Sequence, residues 1–471
     1  MQKSDKTYDV VLVGSSFASM FFAHRFLEKH PTAELAVVEW GTDRPYDEQV
    51  KLRDPRTVDT SKIVRFSGDS HKTWLFSIGL GGTSNMWWGQ TLRHLPDDFR
   101  MKTVFGVERD WPFSYDDLEP YYCQAEDLIK VSGPVSPLFP RSRPLPLPPH
   151  LGSRFDQAME RLHPGHYGIA PTGRPRESTQ HRPACCNNGA CGTCPIDSKF
   201  RVGNELKELF HHPRITILTG HRVMAVDLQG GTATGVICQT AAGDALIQGN
   251  MVFLGANAIF NPAILLRSQL NDRWCGVGIT EQVGLHVDVL LTKETCYTGT
   301  THITGVGFPP SNTEKNGRPR YVIENYNSPA VFNFQPGRLL NKARLKIVVE
   351  SYLQDESRVS LDGDVVDVRH QQVAPSIAAN LDAIKADFER FLAPVGVEAI
   401  NYEPYFTPTE GHIECSTRMS AAPEDGVVDG GLVHHKVRNL LVGGASAFAT
   451  CPPSNPSLTI SAMSLRAADL I

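Results

Sequence analysis

The sequence predicts an α/β chain (α+β overall), with a Rossmann-type nucleotide-binding domain and a discontinuous second domain built on an antiparallel sheet. Three observations predict it. The first forty residues read as strand, turn, helix and strand. From Ile215 to Phe253, short apolar runs are broken by Gly-Gly and Ala-Gly pairs, as in a small antiparallel meander. Near the end, a strand from Asn439 to Val442 precedes a helix from about Pro456. The expected organisation is therefore nucleotide-binding pieces at 1–105, 200–288 and 406–471, with a substrate or cap domain at 106–199 and 289–405.

Each element has its own signal. Tyr8 to Val13 is apolar and β-branched, Phe17 to Leu27 has helical spacing, and Leu35 to Val38 is a second apolar run ended by Glu39. The turn between them reads Gly14-Ser-Ser-Phe-Ala-Ser19. A Rossmann turn needs small residues where backbone meets pyrophosphate, and a helix N-terminus aimed at the phosphates. Only the first glycine of G-x-G-x-x-G is present; Ser16 and Ser19 replace the others. By itself the turn fits a generic strand–helix connection equally well. Glu39 tips the balance, because an acid at the end of the second strand accepts ribose hydroxyls and repels a 2′-phosphate. Further along, Pro134 to Leu151 is proline-rich and expected to run extended on the surface. Residues Lys342 to Asp367 look strand-rich, and Ser376 to Leu392 reads as an amphipathic helix.

Composition narrows the function. The chain has 471 residues, 41% hydrophobic and 21% charged, with a net charge of -5 and a pI near 6.4. No strong field draws it to nucleic acid or anionic lipid. No apolar run is long enough to read as a membrane span. The N-terminal residues pass from a polar stretch straight into a strand, without a signal-peptide pattern, so a cytoplasmic location is expected unless a partner carries the chain elsewhere. Four of the ten cysteines lie between Cys185 and Cys194, which is unlike a disulfide framework.

Four segments together resemble the glucose–methanol–choline (GMC) family of FAD-dependent oxidoreductases. They are the first turn with Glu39; Gly79-Leu-Gly-Gly-Thr-Ser-Asn-Met-Trp-Trp-Gly89; Asp110-Trp-Pro-Phe-Ser-Tyr-Asp-Asp-Leu-Glu-Pro-Tyr-Tyr122; and Val442-Gly-Gly-Ala-Ser446 with Asn455-Pro-Ser-Leu-Thr459. Before the last, His412-Ile-Glu-Cys-Ser-Thr-Arg-Met419 resembles the family's His-bearing strand, especially that of pyranose oxidases. The order holds along nearly the whole chain, although the chain is somewhat short for the family. The resemblance implies an FAD site formed by Gly14, Ser16, Phe17, Glu39, Gly82, Thr83, Asn85, Met86, Val223, Gly444, Ala445 and Pro456. Pyranose oxidases carry a flavin-linking histidine where this sequence has Met86, so the resemblance implies non-covalent FAD.

Oxidising an alcohol with a flavin needs a base for the hydroxyl proton and a hydride acceptor, which the cofactor supplies. Histidine suits the base, since its ordinary pKa is about 6.5. His412 matches the family's catalytic histidine; the structural alternative is a hydrogen-bonded histidine on a buried strand. Asn455 precedes Pro456 at the start of an apolar-periodic helix, and that pair reads as N-cap and N1. The resemblance adds a hydrogen bond from Asn455 to the substrate oxygen, beside His412, with the helix's positive end at the flavin.

Clustered thiolates bind soft metals. The segment from Cys185 to Cys194 resembles the electron-transfer loop of bacterial FAD-glucose dehydrogenases, which holds a 3Fe-4S cluster. Cys185, Cys191 and Cys194 would be its ligands, with Cys186 spare. Two residues separate Cys191 and Cys194 where three are expected, so zinc and metal-free thiols stay open beside iron–sulfur. The expected activity is oxidation of a sugar, glycoside or polyol hydroxyl, with electrons passed to a non-oxygen acceptor such as a protein partner or small subunit. The alternatives are an oxidase forming hydrogen peroxide, a hydroxynitrile lyase-like enzyme, and an FAD-binding partner protein without catalysis.

Overall fold

The computed structural model describes residues 2–68, 72–293, 298–327, 334–335, 338–339, 341–371 and 373–471. The β-branched opening run forms the strand Gln2–Val13, the centre of a mixed sheet. It pairs in parallel with Leu35–Val38 on one side and Gly243–Leu254 on the other. Ile215–Leu218 extends the parallel edge beyond Leu35–Val38, and Leu440–Val442 adds in parallel to the end of Gly243–Leu254. The meander itself is Arg222–Gln229, Thr232–Thr240 and Gly243–Leu254, all antiparallel. The expected meander therefore loses its first run. A turn at Gly220, with φ +69°, separates Ile215–Leu218 from the rest and lets it join the parallel edge.

Parallel strands need cover on their faces. The strand residues Val10, Val11 and Leu12 are fully buried, as are Met20, Phe21 and Phe22 of the helix Phe17–Lys29. That helix packs on the C-terminal helix Ser457–Asp469, which in turn packs on Tyr115–Ile129. Each fully buried large apolar side chain contributes roughly 1.5–3 kcal/mol, so this shared core binds the chain's two ends together.

A second sheet is antiparallel, in the order Val397–Tyr402, Val283–Leu291, Asn341–Val349, Tyr321–Tyr326, Ile303–Gly307 and Tyr167–Ile169. The helices Arg154–Leu162 and Pro375–Leu392 close its separate core through Phe155, Met159, Ile384 and Phe388. The expected boundary at 288–289 falls inside the strand Val283–Leu291, because the second sheet starts earlier than composition suggests. Likewise Tyr115–Ile129, placed by sequence with the cap, packs its buried Leu118, Tyr122 and Ile129 into the first core. The proline-rich stretch 134–151 holds no helix or strand.

Candidate active site

The turn after the first strand is built from small residues with defined tasks. Gly14 has φ +85°, and a Cβ there would lie 2.8 Å from the Gly255 carbonyl oxygen. Ser19, in place of the third glycine, donates to the Val13 carbonyl at 3.1 Å. Ser15 donates to Glu39 Oε2 at 2.7 Å and accepts from the Gly81 N–H at 2.9 Å. Ser16 Oγ accepts from the Ser84 N–H at 3.2 Å, and makes no cap bond to the helix it precedes. The serines thus tie the first turn to the glycine-rich segment at 79–89. They leave the first helical turn without a side-chain cap or an acid, open to an anion. Glu39 is 5% exposed, and burial pushes its carboxyl up although Ser15 and the Gly41 N–H counter this.

Three adjoining cavities follow. The first, of about 700 Å³, is bordered by Gly14, Ser16, Glu39, Gly82, Thr83 and Val223, together with Trp40, Arg222 and Asn257. The second, of about 670 Å³, is bordered by Ser16, Phe17, Thr83, His412, Gly444, Ala445 and Pro456. The third, of about 1040 Å³, is bordered by Met86, Trp88, Gln90, His286, Glu324, Tyr326, Lys346, Glu410, His412 and Asn455. Thr83 borders all three, and His412 the second and third. An elongated dinucleotide fits this run: an acid and an uncapped helix N-terminus lie at one end, and His412 with Asn455 at the other. Asn85 borders none of the three; its Nδ2 donates instead to the Leu80 carbonyl at 2.9 Å.

The reacting end is tightly arranged. His412 is not on a strand: it lies two residues before Glu414, which bridges to Thr280. Its Nδ1 is 3.0 Å from Gln282 Oε1, and its Nε2 is 3.4 Å from Asn455 Nδ2. Burial pushes the imidazole down to about 4; Glu410 opposes this, while Lys346, Lys72 and His94 add to it. The residue borders the second and third cavities. Glu281 holds the turn beneath, accepting from the backbone N–H groups of Glu410 (3.0 Å) and His412 (2.8 Å) and from the Thr409 hydroxyl (2.9 Å). Lys72 forms a buried ion pair with Glu281.

Asn455 is not a helix cap. The C-terminal helix begins at Ser457, its cap position is Pro456, and no side chain caps it. Asn455 Oδ1 is buried without a partner among the described residues, as are Gln90 Nε2 and His286 Nδ1 on the same cavity wall. Burial lowers the pKa of His286 to about 4, with Lys346 and Arg344 adding. Lys346 lies 2.5 Å from Glu410 and 3.5 Å from Glu324. Burial opposes the Lys346 charge, yet Glu410, Tyr326 and Glu324 hold its pKa well above the ordinary value. Burial also works against the Glu410 carboxylate, but Lys346 and Thr407 hold its pKa below the usual range. Sequence reading missed this polar wall and missed Gln282 and Glu281. Glu281 and Gln282 stand immediately before the strand Val283–Leu291, and the wall residues come from widely separated strands.

Among the described residues, no three of His, Cys, Asp and Glu come together in a way that could hold a metal ion. Cys186 is exposed, while Cys191 and Cys194 are buried. Cys185 Sγ faces the Thr301 hydroxyl at 3.6 Å, and Cys191 Sγ takes Arg174 at 3.5 Å. The expected 3Fe-4S or zinc site is therefore not supported. The loop is held by other means: Lys199 donates to the carbonyls of Asn85, Trp87 and Gly192, and Tyr46 donates to the Cys194 carbonyl.

Residues 354–464 match the family described as GMC oxidoreductase, in its C-terminal domain. The fructose dehydrogenase large subunit of Gluconobacter japonicus is 28% identical, over 83% of this chain and 80% of its own. The paromamine 6'-oxidase of Streptomyces fradiae is 25% identical, over 99% and 92%. Pyridoxine 4-oxidase from Mesorbium loti shares the fold with a TM-score of 0.67 at 17% identity, covering 98% of this chain and 99% of that one. A formate oxidase variant of Aspergillus oryzae does so with 0.65 at 16%, covering 99% and 98%. Residues 354–464 thus carry the C-terminal domain of the GMC oxidoreductases, FAD-dependent enzymes that oxidise CH–OH groups, and the chain as a whole shares the fold of pyridoxine 4-oxidase.

Proposed function

We propose that this enzyme oxidises a hydroxyl group of a sugar, glycoside or polyol and passes the electrons to a non-oxygen acceptor. One observation carries the reading: His412 Nε2 and Asn455 meet where the second and third cavities adjoin. FAD, when bound, supplies the hydride acceptor. His412, neutral at physiological pH because of its low pKa, takes the proton of the substrate hydroxyl at Nε2. Asn455 orients the same oxygen, and its own unpaired Oδ1 serves a neighbouring hydroxyl. Gln90 Nε2 and His286 Nδ1, without partners among the described residues, join the Glu324–Lys346–Glu410 group to give the third cavity a wall suited to several hydroxyls at once. Met86, a side chain without a linking nitrogen, borders that cavity and is consistent with non-covalent FAD.

Relatives named dehydrogenases, the fructose dehydrogenase large subunit and a 2-methyl-1,2-propanediol dehydrogenase of Mycolicibacterium austroafricanum, support the acceptor assignment. The former's name also supports a partner subunit. The second reading is an oxidase, favoured by the two relatives that match along almost the whole chain, both named oxidases. The test is an anaerobic screen of flavin bleaching over sugars, glycosides and polyols, followed by peroxide measurement under air with the best substrate. Bleaching without peroxide supports the proposal, and stoichiometric peroxide replaces it with the oxidase. No bleaching by any hydroxyl compound overturns both.

A further inference from the structure

Gln282 is 2% exposed, and its amide touches two other chain segments, 412–414 and 452–454. Its Nε2 donates to the Pro452 carbonyl at 2.7 Å and to the Ser454 carbonyl at 3.3 Å, and lies 3.4 Å from Glu414 Oε1. Its Oε1 lies 3.0 Å from His412 Nδ1. Backbone carbonyls only accept hydrogen bonds, so the NH₂ end must face Pro452 and Ser454. The oxygen end must then face the imidazole. An amide oxygen only accepts, so Nδ1 must carry the ring proton. Nε2 is left with its lone pair, turned toward Asn455 and the substrate cavity.

We infer that Gln282 is a positioning residue that locks His412 in the Nδ1–H tautomer and fixes the ring against the 452–455 segment bearing Asn455. The inference rests on the reading of His412 as the base. A histidine with its proton on the wrong nitrogen cannot accept from the substrate, however well placed the ring is. Among the described residues no charged side chain bonds Nδ1 in place of Gln282. Glu410 and Lys346 pair with each other, Lys72 pairs with Glu281, and His94 packs among Phe99, Trp111 and Phe448. Glu414 is fully buried, and burial pushes the pKa of its carboxyl well above the usual range. Among the described residues only the Gln282 oxygen bonds Nδ1, and the same amide anchors the segment leading to Asn455.

The test uses Gln282→Leu in the FAD-loaded enzyme, with Gln282→Met as a second variant that keeps the chain length and packing. Stopped-flow flavin reduction should slow by about tenfold or more, the equivalent of one well-formed hydrogen bond to a reacting group. The substrate dissociation constant from the same titration should change little. Histidine ¹⁵N NMR, with the His412 signals assigned by their loss in His412→Ala, should show the Nδ1–H tautomer in the wild type and a mixture in both variants. If the variants reduce flavin within about twofold of the wild type, or keep a pure Nδ1–H tautomer, the inference is wrong. A normal rate in His412→Ala would instead remove the base itself, so the two failures are distinguishable.

Discussion

Removing His412 tests the proposed chemistry most directly. In His412→Ala the cavity junction keeps its walls, because Ser16, Phe17, Thr83, Gly444, Ala445 and Pro456 come from other segments. FAD should therefore stay bound. What disappears is the group able to take the hydroxyl proton, and a lost general base lowers the rate by at least about 10²-fold. That is a barrier increase of roughly 2.7 kcal/mol. Stability should also fall, because Gln282 Oε1 is left buried without its partner, at a cost of about 1–3 kcal/mol. The backbone N–H of residue 412 still bonds Glu281, so the turn itself should hold. Anaerobic stopped-flow reduction reads the rate, and the flavin-to-protein ratio after gel filtration reads FAD retention. A near-normal rate with full flavin would refute His412 as the base, and loss of flavin would refute the argument that the cradle is independent of it.

Three further outcomes are expected. Asn455→Ala should slow flavin reduction by about tenfold, one substrate hydrogen bond, while thermal stability stays almost unchanged, since Asn455 caps no helix; a large drop in melting temperature would contradict this. Acid precipitation should release yellow flavin into the supernatant, and colour held in the pellet would show a covalent link despite Met86. The rate of flavin reduction should be independent of pH above about 5 and fall only as pH approaches 4, because the His412 imidazole is active when neutral and burial has lowered its pKa to about 4; an acid limb near the ordinary value of 6.5 would show the ring to be solvated.

The parts of this molecule that sequence reveals are those whose physics is local. The strand from Tyr8 onward, the small-residue turn and Glu39 lie within forty residues, and each constrains the next. Even there, the serines hold more than their spacing shows. Ser15 was invisible as a partner of Glu39 because the bond joins a turn to a strand end 24 positions away. Asn455 shows the opposite error. Asparagine before proline is a sound local signal for a cap, but at this turn the side chain faces His412 rather than the helix, and the helix starts one residue late. The cysteine loop misled in the same way. Spacing counts residues along the chain but does not say where side chains point, and here Cys185 faces the Thr301 hydroxyl while Cys191 turns inward to Arg174.

The substrate wall was unreadable for a different reason. His286, Glu324, Tyr326 and Lys346 sit on three strands of one antiparallel sheet, and they meet only because the register pairs Lys346 with both His286 and Glu324. No fixed spacing along the chain encodes that meeting. A one-residue slip in either ladder would turn the Lys346 ammonium to the other face of the sheet, leaving the Glu410 carboxylate buried without its cation. The sheet face opposite Lys346 resists such a slip, since Leu345 and Ile347 on either side of it are buried in the second core. The same apolar residues that close the cap core therefore also set the register of the polar wall, and substitutions at Leu345 or Ile347 should reach the substrate without touching it.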